Sequence, residues 1–466
     1  MENDSFETLI QKKKEHSNSL KSINFLIEIN EFKKSIKLIR KLRKNTRFLD
    51  KNFFYTYALY SYGIHNYTKA ISILEKLEKK YGFFEEAHNL LIESLILCER
   101  HQTAKKIILT NKTSFINFYS LGKIYLELGD FRKAKKYFFK SIDIKKDHAP
   151  SHYQISRIRK YNKKEKYLNT LKKLLEKSNL IDKPFYYFSI AKYYQDLKDF
   201  KSSLFYLQKG NVLRKKNLTR FKITDFIKNS RFRRKLIFSN KQKISCSNTN
   251  IFIVGMPRTG STLIECIFST NPIIKSGGET SILDRCILRQ QSVKGGELKS
   301  NVLNINYNRF FINPNKKTIL TDKTLFNFVN IPVIINSFSN SKIIEILRDR
   351  DEVIWSIYKN NFDSPIMNFS YCLKDIEKFY NYYEKLMKYY KQKYSNRILS
   401  VRYEKFIKNP REESKKIYNY CGLKWDNSFL NFKDKKIIIK TSSNSQLRGK
   451  IYNKPQENFK KYKELI

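Results

Sequence analysis

The chain has 466 residues, with 93 Lys+Arg against 43 Asp+Glu and a formal net charge of +50. Its 41% hydrophobic and 15% aromatic residues exclude a disordered or collagen-like chain, and at ~150 residues per domain there is room for two or three domains. The opening MENDSFETLIQKKK lacks a basic stretch followed by an apolar one, and no run approaches the ~18 apolar residues of a membrane span, so a cytoplasmic protein without a span is expected. Cys98, Cys246, Cys266, Cys286, Cys372 and Cys421 form no CxxC pair, which argues against a disulfide framework and a zinc site. The basic charge invites a nucleic-acid reading. It is carried mostly by lysine spread over the whole chain, without an arginine-rich arm or a nucleic-acid motif, so nucleic acid is not expected as the main partner and an attraction for anionic substrates is.

Residues 1–215 show helical periodicity with almost no proline, and the pattern repeats. Leu121, Gly122, Tyr125, Leu128, Phe131, Ala134, Phe138 and Ser141 place small residues and aromatics where two antiparallel helices would pack. Ile190, Ala191, Tyr194, Leu197, Phe200, Ser203, Leu207 and Gly210 follow at an offset of 69 residues, close to twice a ~34-residue helix-turn-helix period. Further copies centre on Tyr67, Ala70 and Leu74, on Phe32, Ser35 and Ile39, and on Leu95, Ala104 and Ile108. These resemble degenerate tetratricopeptide repeats. Such units stack into a superhelix whose concave face binds a partner or a polypeptide substrate; an ordinary helical bundle is the alternative.

Residues 216–248 turn polar and basic and are expected to link or form a connecting helix, after which the periodicity changes. From 249 to 466, short β-rich runs at 251–254, 342–347 and 398–401 alternate with helical stretches such as 376–393 and 410–421. That alternation predicts an α/β domain with a mainly parallel sheet.

The segment IFIVGMPRTGSTLIECIF reads as strand, glycine-flanked loop and helix, the setting of a P-loop-like phosphate site. Gly255 and Gly260 permit tight turns, and the helix starting near Ser261 adds its positive N-terminal end. The spacing is that of a nucleotide-triphosphatase loop, but Ser261 stands where that motif needs lysine, so the triphosphatase reading fails and Arg258 supplies the cation. A glycine turn with an incidental arginine is the alternative.

MPRTGST, followed by NP and GGET, resembles the 5′-phosphosulfate loop of the sulfotransferases, nearest to the tyrosylprotein sulfotransferases and to bacterial proteins that fuse tetratricopeptide repeats to that domain. The resemblance implies a sulfotransferase that uses 3′-phosphoadenosine-5′-phosphosulfate (PAPS) as co-substrate, without a metal, and passes the sulfuryl group to a hydroxyl. The favoured acceptor is tyrosine of a protein or peptide, with a glycan as the other class. It places Pro257, Arg258, Thr259, Gly260, Ser261 and Thr262 at the donor's 5′ side, and Arg348 and Ser356 of KIIEILRDRDEVIWSIYKNNF at its 3′-phosphate. Arg348 alone would more often be a salt-bridge partner of Asp349 or Asp351. Glu279 in SGGET matches the family's general base, and Lys323 in ILTDKTLFNF its catalytic lysine, though Leu325 departs from the proline habit there. Tyr403 is implied near the nucleotide, with Arg402 and Glu404 bracing the strand end. Arg448 and Lys460 are implied 3′-phosphate contacts in a C-terminal lid that departs from the family at Glu457, Asn458 and Phe459. The competing class is a repeat scaffold whose sulfotransferase-like lobe has lost activity and senses nucleotide or serves as structure.

Overall fold

The computed structural model describes residues 6–28, 31–44, 49–110, 114–162, 166–239, 249–280, 282–291, 297–311, 319–362, 364–432 and 458–465. They divide into two compact units, 1–125 and 126–466.

The first unit is helical. Phe6–Glu28 packs with Phe32–Arg43, Lys51–Gly63 with Tyr67–Tyr81, and Glu85–Leu97 with His101–Thr110. The second unit begins with helices of the same kind, among them the pair Lys183–Asp196 and Phe200–Asn217. One local rule recurs in both units. A left-handed residue, His65, Glu99, Gly129 or Lys198, stands one position before the residue that caps or precedes the next helix. The side chains of Asn66, Asp130 and Asp199 then accept a hydrogen bond from the backbone of Lys69, Lys133 and Ser202, satisfying a first-turn N–H that has no partner within its helix. Four residues after Glu31, Asn66, Arg100, Asp130 and Asp199 come Ser35, Ala70, Ala104, Ala134 and Ser203, all fully buried. At Ser203 the reason is visible: its hydroxyl donates to the Ala191 carbonyl of the neighbouring helix at 2.9 Å, an approach that a larger side chain would prevent. These tetratricopeptide-like hairpins are the helical pairs that the sequence periodicity predicts.

The α/β part of the second unit holds a five-stranded, all-parallel sheet of β2 (Thr249–Gly255), β3 (Ile274–Ser276), β5 (Ile319–Asp322), β6 (Lys342–Leu347) and β7 (Ile398–Arg402) in the order β3-β5-β2-β6-β7. A separate parallel pair joins β1 (Ile237–Ser239) to β4 (Glu297–Lys299). The central strand β2 is buried on both faces, as a parallel sheet covered on both sides requires. Ile251 and Ile253 pack with Leu263, Ile267, Phe268, Val401 and Tyr418. Phe252 and Val254 face the other way, into a larger core with Tyr307, Phe328, Ile343, Trp355 and Phe379. Tyr153, Phe188 and Leu207 of the preceding helices belong to that second core, so residues from about 149 onward help to build the α/β domain. The C-terminal helix Asn458–Lys463 docks there through Tyr462, whose ring lies 4.3 Å from that of Trp355 and whose hydroxyl donates to Ser203 at 2.9 Å. Among the described residues, no helix is long and apolar enough to cross a membrane.

Candidate active site

Parallel strands end on one edge of a sheet, and each strand here delivers one of the expected residues to that edge. Arg258 follows β2, Glu279 follows β3, Lys323 follows β5, Arg348 follows β6, and Tyr403 follows β7. The chain leaves β2 for β3 and β5 on one side and crosses to β6 and β7 on the other, so the order reverses around β2, where open α/β sheets leave a ligand crevice.

The loop after β2 is tightly constrained. Arg258 is left-handed at φ 72° and Gly260 at φ 98°, and the helix Ser261–Ser269 starts directly afterwards. A Cβ on Gly255 would meet the Ile346 carbonyl at 2.9 Å, and one on Gly260 would clash with the edge of the Tyr403 ring, 2.7 Å from its Cε2. Gly260→Ala therefore combines backbone strain with a clash against a strand-end residue. The expected result is a loss of at least about 1–3 kcal/mol in thermal unfolding, with Tyr403 displaced. Thr259 braces the loop by donating to the Met256 carbonyl at 2.9 Å, while Pro257, Ser261 and Thr262 are buried around it. The helix Ser261–Ser269 begins at Gly260, and the positive end of a helix suits a phosphate-like oxyanion.

Arg258 Nε donates to Ser356 Oγ at 3.1 Å, and Arg348 Nη1 donates to the Arg258 carbonyl at 3.3 Å. The phosphate loop and the β6 motif thus meet directly. Arg348 forms a double hydrogen bond to Glu352, at 3.0 and 2.6 Å, and its guanidinium lies 4.8 Å from the centre of the Tyr403 ring. Its carboxylate partner is therefore Glu352, one helical turn on, in place of Asp349 or Asp351. Asp349 caps the helix Arg350–Tyr358 by accepting from the Glu352 backbone, and Asp351 pairs with Lys463 at 3.0 Å. Glu404 accepts from the Asp349 backbone N–H at 2.8 Å, bracing the β6 and β7 ends against each other.

Cations gather around this point. Burial, then Arg157 and Arg348, press the Arg258 pKa down to about 10, which leaves it charged at neutral pH. Burial, then Arg258, Arg348 and Lys192, push the Lys359 pKa down to about 7 against the opposing pull of Glu352. Arg157 and Lys192 have no motif in the sequence; only the packing of helices Ala149–Ile158 and Lys183–Asp196 onto the α/β domain brings them here, whereas Lys359 caps the end of the same helix that carries Ser356.

On the β3/β5 side, the Gly277 N–H donates to the Thr321 carbonyl at 2.7 Å, and the Lys323 N–H to the Gly278 carbonyl at 2.9 Å. This register brings Glu279 Oε1 to 2.6 Å from Lys323 Nζ. Lys323 is only 1% exposed, whereas Glu279 is 55% exposed. A second carboxylate, Glu265 on the helix after the phosphate loop, lies 3.5 Å from the same ammonium and accepts from Ser276 Oγ at 2.8 Å. Burial opposes the charge on Lys323, yet Glu279 and Glu265 outweigh it and raise its pKa. Sequence reasoning missed Glu265, which reads there as one polar residue of an amphipathic helix.

Arg448 and Glu457 lie outside the described residues, as do the side chains of Asn458 and Lys460, while Phe459 packs against Trp355 at 6.0 Å. Among the described residues, no group of three or more His, Cys, Asp or Glu could hold a metal ion.

Residues 250–427 match the family model described as "Sulfotransferase family". An uncharacterized protein of Aquifex aeolicus (strain VF5) is 23% identical over 239 residues, 47% of this chain and 31% of that protein. A putative protein-tyrosine sulfotransferase of Caenorhabditis briggsae is 25% identical over 192 residues, 39% of this chain and 68% of that protein. The sulfotransferase domain from the curacin biosynthetic pathway is 16% identical with a TM-score of 0.34, covering 46% of this chain and 90% of that domain. The chain thus spans about a third of the length of the Aquifex relative. Residues 250–427, built on the parallel sheet and glycine-flanked loop described above, are thus similar to the sulfotransferase family, and they follow tetratricopeptide-like helical hairpins.

Proposed function

We propose that the chain is an enzyme that moves the sulfuryl group of PAPS to a hydroxyl, with tyrosine of a protein or peptide as the favoured acceptor. The observation that carries this reading is the 3.1 Å bond from Arg258 to Ser356, which unites the two donor-binding motifs at one strand edge. The loop fits a phosphosulfate: residue 260 has no Cβ, a helix N-terminus follows directly, and Arg258 supplies charge. Arg348 and Ser356 are assigned to the 3′-phosphate and Tyr403 to the nucleotide, with the backbone from Pro257 to Thr262 on the 5′ side. Arg448 and Lys460 are proposed as further 3′-phosphate contacts.

In the proposed reaction the acceptor oxygen forms a bond to sulfur while the bond from sulfur to the 5′-phosphate oxygen breaks. Glu279 accepts the hydroxyl proton, and the electron pair stays on the departing oxygen, where Lys323 and Arg258 offset its charge. The side chain of Glu279 is exposed enough to leave Lys323 and reach an acceptor. We assign residues 1–215 to holding a polypeptide acceptor, 216–248 to connection and 249–466 to catalysis. Distant protein-tyrosine sulfotransferase relatives support tyrosine as the acceptor. Incubating the full chain with 35S-labelled donor and either tyrosyl peptides or sugars tests the reading. Label on tyrosine supports it, label on sugar alone overturns the acceptor assignment, and tight nucleotide binding without transfer to either returns the scaffold reading.

Lys359 adds a pH signature. A bound dianion raises a pKa that now lies near 7, so binding takes up a proton above neutrality and weakens as pH rises from about 6.5 to 8.5. Calorimetry of adenosine 3′,5′-bisphosphate at pH 8, in buffers of different ionisation enthalpy, should show uptake of a fraction of a proton, and Lys359→Met should abolish it.

A further inference from the structure

Glu265 sits on the helix Ser261–Ser269, whose other residues from Ser261 to Phe268 are also buried. A carboxylate in such a place is costly unless it is partnered, and its partners are Ser276 Oγ at 2.8 Å and Lys323 Nζ at 3.5 Å. Lys323 therefore stands between two carboxylates of different character: Glu279 is 55% exposed and free to turn, whereas Glu265 is 11% exposed and fixed.

We propose that Glu265 is a positioning residue that keeps Lys323 charged and aimed at the departing oxygen while Glu279 is engaged with the acceptor. The inference rests on the roles assigned above to Glu279 and Lys323. Once Glu279 has taken the acceptor's proton it is a neutral acid, and the ammonium loses the closer of its two counter-charges. Burial then favours the neutral amine, which could not offset charge on the leaving group. Glu265 touches neither acceptor nor donor in this arrangement and acts only through Lys323. The other carboxyl group facing this cluster, Asp322, is committed elsewhere: it accepts from the Tyr307 hydroxyl at 2.7 Å and the Thr324 N–H at 2.8 Å. Burial, together with the nearby Glu265 charge, raises the Asp322 pKa. The two charges that hold Lys323 as an ammonium are thus Glu279 and Glu265.

The sign of the pH effect follows. Losing a carboxylate lowers the folded-state pKa of a buried lysine, so the alkaline limb of kcat moves to lower pH. Glu265→Gln, which preserves shape, should lower kcat by about 10–100-fold and shift that limb down by about one to two pH units, with donor affinity unchanged within about twofold. Ser276→Ala, which removes only the hydrogen bond that orients Glu265, should act in the same direction with a smaller shift, and Glu265→Asp should restore the limb in part. An unchanged profile, or a fall in kcat that is uniform across pH, would overturn the proposal.

A second readout needs no turnover. Lys323 can be followed by NMR of protein labelled with 13C at lysine Cε, its signal assigned by its loss in Lys323→Arg. In Glu279→Gln it should remain an ammonium beyond about pH 9, and in the double variant with Glu265→Gln it should titrate at clearly lower pH. Identical titrations would sink the inference. If the wild-type chain transfers no sulfate, the functional reading fails, and the titration still decides the role of Glu265.

Discussion

Replacing Glu279 by glutamine should lower kcat by about 10²–10⁴-fold while leaving the affinity for adenosine 3′,5′-bisphosphate unchanged within about threefold. The side chain is 55% exposed and makes its described ion pair only with Lys323, so the isosteric amide costs little stability and the loss is read in the chemical step. Lys323→Met should lower kcat by a comparable ~10²–10³-fold, because the departing phosphate oxygen then lacks its nearby ammonium. That variant also leaves the buried Glu265 without its cation, which should cost about 3–5 kcal/mol, so a lower unfolding temperature is expected alongside. Single-turnover kinetics with label on the donor separate the two effects. A Glu279→Gln protein that keeps wild-type kcat would remove the general base from the account.

Arg348→Ala should weaken binding of the bisphosphate by about 10–100-fold, the worth of one or two charge-assisted hydrogen bonds. Arg258→Ala should do the same and also free the Ser356 hydroxyl, because one guanidinium serves both the loop and the β6 motif. The two effects should not add. Arg348 holds the Arg258 carbonyl at 3.3 Å, and residues that share a network couple when mutated. A double variant weakened by clearly less than the product of the two single effects is expected from titration calorimetry; full additivity would mean that the contact between Arg348 and the Arg258 carbonyl does not couple them.

The strand, loop and helix around residues 249–269 were legible because glycines mark both loop ends and the hydrophobic period changes across them. The helical hairpins were legible through their small buried residues, since Ala70, Ala104 and Ala134 recur at one phase. Their turns were not: His65, Glu99 and Lys198 adopt left-handed backbone without being glycine, and nothing in those side chains announces it. β3 escaped notice because three residues, two of them exposed, carry no alternation. The residues that surround the expected ones were hidden for a tertiary reason. Arg157 and Lys192 are two among many basic side chains, and only the docking of the preceding helices onto the α/β domain distinguishes them; Lys359 follows Ser356 in the β6 motif, and its burial among these cations sets it apart. Glu265 was hidden because its partners Ser276 and Lys323 lie on two other strands' ends.

Calorimetric titration of the wild-type chain with adenosine 3′,5′-bisphosphate and, separately, with adenosine 5′-monophosphate tests the central claim most directly. The arrangement of Arg348 and Ser356 beside the phosphate loop predicts saturable one-to-one binding of the bisphosphate, tighter than the monophosphate by at least about tenfold. Equal affinity for the two nucleotides, or no saturable heat with either, would contradict it.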